Sequence, residues 1–327
     1  MNGLPYSTYL LAAAVAAVVS GVLVRVLLGL RIALDNPNHR SLHTSPTPRT
    51  GGIGLLAGIV AAAVVSTGAV QPVFWIALAL AALSLGDDRW NLPAAARLLG
   101  HLVAAAAFVL MLGEWPAMWL VPILVLALGW MTNLYNFMDG ADGLAGGMTM
   151  FGFGAFAIAA GMQGHGEIAV LSLCVAAAAA GFLLFNYPPA RIFMGDVGSI
   201  PVGFLAGALG LLGWKEGVWP AVFPLIVFAP FIVDASATLA KRALRREKVW
   251  QAHREHYYQR LILGGWSHRR AALAEYGLMA VCAAAGLLVT FADLAVQTVL
   301  VAMLALLLIV LMALVDRHWP LRRPEHA

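Results

Sequence analysis

Long apolar runs separated by short polar stretches repeat along the whole chain. They predict membrane helices at about 8–30, 53–70, 72–86, 97–113, 117–135, 144–162, 167–185, 199–213, 219–239, 272–291 and 295–315. A helix needs about 20 apolar residues to cross a bilayer core, and several of these runs are shorter. The pattern predicts an all-α polytopic integral membrane protein with about 11 transmembrane helices, its termini on opposite faces. The polar stretches fall at about 31–52, 87–97, 132–143, 186–198 and 240–271.

Charge then chooses the orientation. Of the 20 Lys and Arg residues, only Lys215 falls in a loop of the opposite face; Glu114, Glu167, Glu216 and Asp293 occupy that face instead. The positive-inside rule places the N-terminus outside and the C-terminus in the cytoplasm, together with every polar motif. The localisation expected is a membrane crossed many times, with the polar motifs facing the cytoplasm. Only 11% of residues are charged and the mean hydropathy is +0.85, which excludes a soluble domain. The pI near 9.3 has a topological origin and implies no nucleic acid partner. The first apolar run lacks a basic leader and a cleavage site, so it reads as a retained span. Cys174 and Cys282 lie in apolar runs with no ligand spacing, and read as small buried hydrophobes.

Against that background, acids at the motif face need a reason, since an ionisable group at a membrane boundary is a functional candidate by default. Six stand out: Asp35, Asp87 and Asp88 in SLGDDRW, Asp139 and Asp142 in NLYNFMDGADGLAGG, and Asp196 in NYPPARIFMGDVGS. Aspartates beside glycines supply hard oxygens for a metal and leave room for phosphate. Adjacent acids such as Asp87 and Asp88 can divide metal holding from proton acceptance; the bland reading is a solvated helix end paired with Arg89. Asn133, Asn136, Asp139 and Asp142 recur every three residues, a single face if the fifth span continues through them. A capped polar turn is the alternative there. Asp196 lies between Gly195 and Gly198 after Asn186, Pro188 and Pro189, as a ligand on an open loop or as a cap of the next span.

The first polar loop brings His39, Arg40, His43 and Arg49 to Gly51 and Gly52, donors suited to a diphosphate. The last carries His253, His256, Tyr257, Tyr258, Arg260 and Trp266, which offer hydrogen bonds, stacking and anion contacts. Asp234 is a buried acid without an obvious partner. His101, His165, His268 and His318 carry no assignment.

Taken in order and spacing, SLGDDRW, NLYNFMDGADGLAGG, FNYPPARIFMGDVGS and HREHYYQRL resemble the polyprenyl-phosphate N-acetylhexosamine-1-phosphate transferases, glycosyltransferase family 4. The resemblance implies a single membrane-embedded transferase domain over 1–327. It implies transfer of a sugar 1-phosphate from a UDP-N-acetylhexosamine to undecaprenyl phosphate, releasing UMP, with Mg²⁺ as cofactor and Mn²⁺ as a substitute. It places the catalytic pair on Asp87 and Asp88 and the metal-binding aspartate on Asp196; Asp139 is expected to join it as a second metal ligand. By the same resemblance substrate binding falls on Asn136, Asp139, Asp142, Asn186, His253 and His256, and Arg49 of the first loop is expected to join them as a phosphate donor. HTSPTPRTGG and HREHYYQRL are more similar to the branch that initiates O-antigen and lipopolysaccharide synthesis. The peptidoglycan branch, phospho-N-acetylmuramoyl-pentapeptide transferase, carries three consecutive histidines and a first-loop lysine that this chain lacks. The competing class is an ion-coupled transporter, which predicts acids near mid-span and repeated halves. Neither pattern is present. Oligomeric state stays open, a homodimer included.

Overall fold

A computed structural model describes residues 5–30, 33–37, 42–43, 45–69, 71–249, 251 and 253–319. His39 and Arg40 of the first loop lie outside the described residues. The chain is an all-α polytopic membrane protein. Its helices are α1 (Tyr6–Leu30), α2 (Gly51–Thr67), α3 (Pro72–Trp90), α4 (Ala94–Met111), α5 (Leu120–Phe137), α6 (Leu144–Met162) and α7 (Gly166–Asn186). They continue as α8 (Asp196–Lys215), α9 (Val222–Val227), α10 (Ala229–Leu244), α11 (Tyr257–Leu263), α12 (His268–Phe291) and α13 (Leu294–His318).

Among the described residues, eight helices are long and apolar enough to cross a membrane: α1, α4, α5, α6, α7, α8, α12 and α13. Three expected spans differ, each for a local reason. Helix α2 has only 17 residues. Helix α3 runs on past its apolar stretch into Asp87, Asp88 and Arg89. The run expected at 219–239 is broken at Phe228, between α9 and α10, where Pro230 opens the second piece. A proline has no N–H for the ladder, so it fits a first turn and interrupts a continuous helix.

Helices α7 and α8 form the centre, with most of their residues buried. Helix α13 lies at the periphery and exposes Leu294, Met303 and Leu306. Those side chains face hydrocarbon rather than water in a bilayer, so exposure costs nothing there.

The first loop contains an element that its pattern did not predict. Leu34–Asp35 (β1) and Thr47–Pro48 (β2) pair antiparallel, with Leu34 opposite Pro48 and Asp35 opposite Thr47. This hairpin is stitched to the segment before α8: Phe193 N–H donates to Pro48 O (2.7 Å), Gly51 N–H to Phe193 O (2.9 Å) and Gly52 N–H to Met194 O (2.9 Å). The leading amides of α2, which have no partner inside their own helix, are satisfied by another loop. Close approach makes this feasible, because a Cβ on Gly52 would fall 2.4 Å from the Cα of Gly198.

Candidate active site

The polar loops meet at one end of the helix array around a cavity of about 260 Å³. Asp35, His43 and Arg49 line it from the first loop, and Asn136, Asp139 and Asp142 from the segment after α5. Asn186 and Asp196 enter from the loop between α7 and α8, and Gln259 and His268 from the last polar segment.

Helix α5 ends at Phe137, so the four-residue face expected from Asn133 to Asp142 does not form. Glycines at 140 and 143 disfavour helix continuation, and the chain turns instead. Asn133 is left behind on α5, where its side chain meets His101 Nδ1 (3.1 Å) and donates to Gly129 O (2.7 Å). Beyond the helix, Asp139 and Asp142 are brought to the cavity by the turn. Gly140 leaves the space that Tyr258 occupies, since a Cβ there would lie 2.2 Å from the Tyr258 hydroxyl.

Each cavity acid has its own setting. Burial and the neighbouring Asp196 carboxylate push Asp139 well above the usual carboxylate range, while a Gly195 N–H donated to it acts the other way. Gly195 reaches that position at φ +70, and a Cβ on it would meet Arg49 O at 2.3 Å. Burial also works against an ionised Asp142, but donation from His268 and from Ala190 N–H (3.0 Å) holds its carboxyl below the usual range. Asn136 Nδ2 donates to Ser199 Oγ (3.1 Å). Asn186 is bonded at both ends of its amide: it accepts from Gly143 N–H (3.0 Å) and donates to Ile192 O (2.8 Å), so it fixes the loop that carries Asp196.

Asp87 and Asp88 have different partners, and neither is Arg89. Asp87 accepts from Leu92 N–H (2.8 Å) and Arg97 (2.9 Å), closing the end of α3. Asp88 pairs with Arg49 (2.8 Å), itself part of the cavity wall.

His253 and His256 do not line this cavity. The His256 ring is buried with Nδ1 3.2 Å from Asp234, and the His253 ring lies tilted beside it, centroids 4.8 Å apart. Asp234 is not without partners: it also accepts from Thr238 Oγ1 and from the N–H groups of Tyr257 (2.9 Å) and Tyr258 (3.1 Å). It anchors the start of α11, the helix that carries Gln259 to the cavity. Arg260 is not free for an anion either, because it is buried and bonded to Asp316 (2.7 Å) and to the Trp319 carbonyl. Trp266 carries Arg270 over its ring at 4.1 Å.

A divalent cation fits this donor set in part. Among the described residues, no three His, Cys, Asp or Glu side chains gather closely enough to hold a metal alone. Asp139 and Asp196 nonetheless form a mutually repelling pair, a repulsion that a hard cation relieves. Mg²⁺ is commonly held by one or two carboxylates, with substrate phosphates and water completing its shell.

The sequence model of glycosyl transferase family 4 matches residues 70–213. That stretch includes Asp87, Asp88, Asn136, Asp139, Asp142, Asn186 and Asp196. The probable undecaprenyl-phosphate N-acetylglucosaminyl 1-phosphate transferase of Bacillus subtilis is 33% identical over 264 residues, 75% of this chain and 74% of that protein. The decaprenyl-phosphate N-acetylglucosaminephosphotransferase of Mycolicibacterium smegmatis is 32% identical over 304 residues, 77% of this chain and 74% of its own. A phospho-N-acetylmuramoyl-pentapeptide-transferase of Moorella thermoacetica is 32% identical over 298 residues, 80% of this chain and 90% of that protein.

Proposed function

Because the chain belongs to glycosyl transferase family 4, we propose that it transfers an N-acetylhexosamine 1-phosphate from a UDP-sugar to undecaprenyl phosphate, releasing UMP. The observation that carries this reading is the convergence of Asp139, Asp196 and Arg49 on one cavity, with Asp88 joined to its wall through Arg49. The whole chain acts as one membrane-embedded transferase domain, oriented with this cavity toward the cytoplasm by its Lys and Arg distribution. The bacterial inner membrane is the setting, and initiation of O-antigen synthesis the role, on the strength of HTSPTPRTGG and HREHYYQRL.

Two phosphate-bearing substrates repel one another, and the cavity residues address that repulsion. Asp139 and Asp196 would hold Mg²⁺, or Mn²⁺ in its place, and the bound cation would supply charge neutralisation for the diphosphate. Arg49 contributes a fixed cation to the same anionic group. An oxygen of the lipid phosphate forms the new bond to the sugar-bearing phosphorus, and the bond from that phosphorus to UMP breaks with its electron pair leaving on UMP. Asp88 faces the acceptor and keeps its phosphate ionised. A phosphate second pKa lies near 6, so at neutral pH the main work of Asp88 and Arg49 is alignment. Asn136, Asp142 and Asn186 shape the nucleotide side. His253 and His256 act on it through the α11 wall.

The test is UMP release by purified protein with undecaprenyl phosphate and, separately, UDP-GlcNAc, UDP-FucNAc, UDP-QuiNAc or UDP-MurNAc-pentapeptide, with Mg²⁺ or EDTA. Release that needs the lipid, stops with EDTA and is lost in Asp196→Asn upholds the reading and names the sugar. The pentapeptide donor is included because of the Moorella relative. Silence with every donor from folded protein overturns it.

A further inference from the structure

One ring in the cavity wall touches parts of the chain that are far apart in sequence. His268 is the first residue of α12, fixed by the Ser267 cap, whose hydroxyl accepts from Arg270 N–H. Its Nδ1 lies 3.2 Å from Asp142 Oδ1, and its Nε2 lies 3.2 Å from the carbonyl of Leu42. The Asp142 N–H is also near Nδ1, at the longer distance of 3.4 Å, so the carboxylate is the stronger partner. The second oxygen of Asp142 accepts from Ala190 N–H, between α7 and α8. Through one imidazole and one carboxylate, the first loop, the turn after α5, the Asp196 loop and the head of α12 are joined.

We infer that His268 is a positioning residue that sets the donor side of the cavity. Both ring nitrogens face oxygen acceptors, an arrangement an imidazolium satisfies on both sides. Leu42 precedes His43, whose ring stands edge-on to Phe193 at 5.0 Å and whose Nε2 lies 3.2 Å from Asp35 at the end of β1. Holding Leu42 therefore holds His43 and the hairpin against the Asp196 loop. Holding Asp142 fixes the turn that presents Asp139. Both ring nitrogens face protein oxygens, so the expected effect is on donor affinity rather than on the chemical step.

The inference depends on the transferase reading only for its kinetic arm. The test uses the full chain in nanodiscs, as wild type, His268→Ala and His268→Gln, and measures hydrogen exchange at the hairpin amides of Leu34, Asp35 and Thr47 together with UMP release. In His268→Ala, loss of a charge-assisted contact is expected to speed hairpin exchange and raise the donor KM by about tenfold each, with kcat changed less than about twofold. His268→Gln keeps one donor and is expected to fall between; it also serves if the alanine variant fails to fold. Unchanged exchange in both variants overturns the inference, as does a fall in kcat at constant KM. If the wild type releases no UMP from any donor, the transferase reading fails separately, and hairpin exchange alone decides for or against His268 as the anchor.

Discussion

Arg49 Nη2 stands 2.8 Å from Asp88 Oδ1, so the first loop and the end of α3 share one ion pair at the edge of the cavity. Both side chains keep substantial solvent access, and exposed pairs of this kind contribute about 0–1 kcal/mol to stability. Their weight falls on function. Arg49→Ala and Asp88→Asn are each expected to lower kcat/KM for UMP release by about 10- to 100-fold, the scale of a lost charge-assisted bond, with little change in melting temperature. Asp87→Asn is expected to do the opposite, since Asp87 closes the α3 end on Leu92 and Arg97. Equal rate losses for Asp87→Asn and Asp88→Asn at unchanged stability would remove this division of labour.

Gly52 and Gly198 pack backbone to backbone, with no flexible side chain between them to give way. Gly52→Ala is expected to cost about 1–3 kcal/mol by overpacking. It also pushes the first loop away from Met194 and the Asp196 loop. A lowered melting temperature in detergent, with reduced activity at temperatures well below it, is the expected result. A variant as stable and active as wild type would show that the contact relaxes freely.

Much of the cavity lining is legible in the sequence, and what stays hidden follows a physical pattern. Asp139, Asp142, Asp196 and Asn136 announce themselves because acids and amides beside glycines are conspicuous in a hydrophobic chain. Eight of the spans are legible from apolar length; α2 is too short, α3 runs into its acids, and the 219–239 run breaks at Phe228, where two nearby prolines give a local hint. Partners were not readable. Asp142 and His268 are 126 residues apart, and Asp234 meets the α11 amides across more than 20. Arg260 looks like an anion ligand in HREHYYQRL until Asp316, at the far end of the chain, is seen to occupy it. Ring and guanidinium direction depends on which helices become neighbours, and a single sequence carries no local signal for that.

Asp234 is the clearest case of a residue whose weight appears only in three dimensions. It accepts from two backbone N–H groups, a hydroxyl and the His256 ring. Asp234→Ala orphans these donors in a buried place, and breaking such a network by removing one partner costs about 3–5 kcal/mol. The expected outcome is loss of melting temperature together with faster proteolysis at 245–256. Asp234→Asn, able to accept but not to carry charge, is expected to recover part of the stability. If both variants melt with wild type, α11 is anchored by its Asp316 contacts instead.

His253 supplies a pH test outside the membrane segments. Burial, then the neighbouring His256 ring and the Arg242 guanidinium, push its ring down to about 4, against smaller opposing effects from Asp234 and Glu247. In the unfolded chain the same ring titrates near 6.5. Between those values the unfolded state binds more protons than the folded one, so stability rises with pH across that window. Acidifying from pH 7 therefore costs stability progressively below about 6.5, and the cost levels off below about 4 once the folded ring protonates too. Other groups titrate in the same range, so the comparison of variants carries the information. His253→Gln keeps polarity and removes the titration; its melting temperature is expected to fall less steeply than that of wild type between pH 6.5 and pH 4. Parallel slopes for the two proteins would mean that the ring protonates as readily in the folded chain as in the unfolded one, and that the region around His256 and Arg242 opens to water.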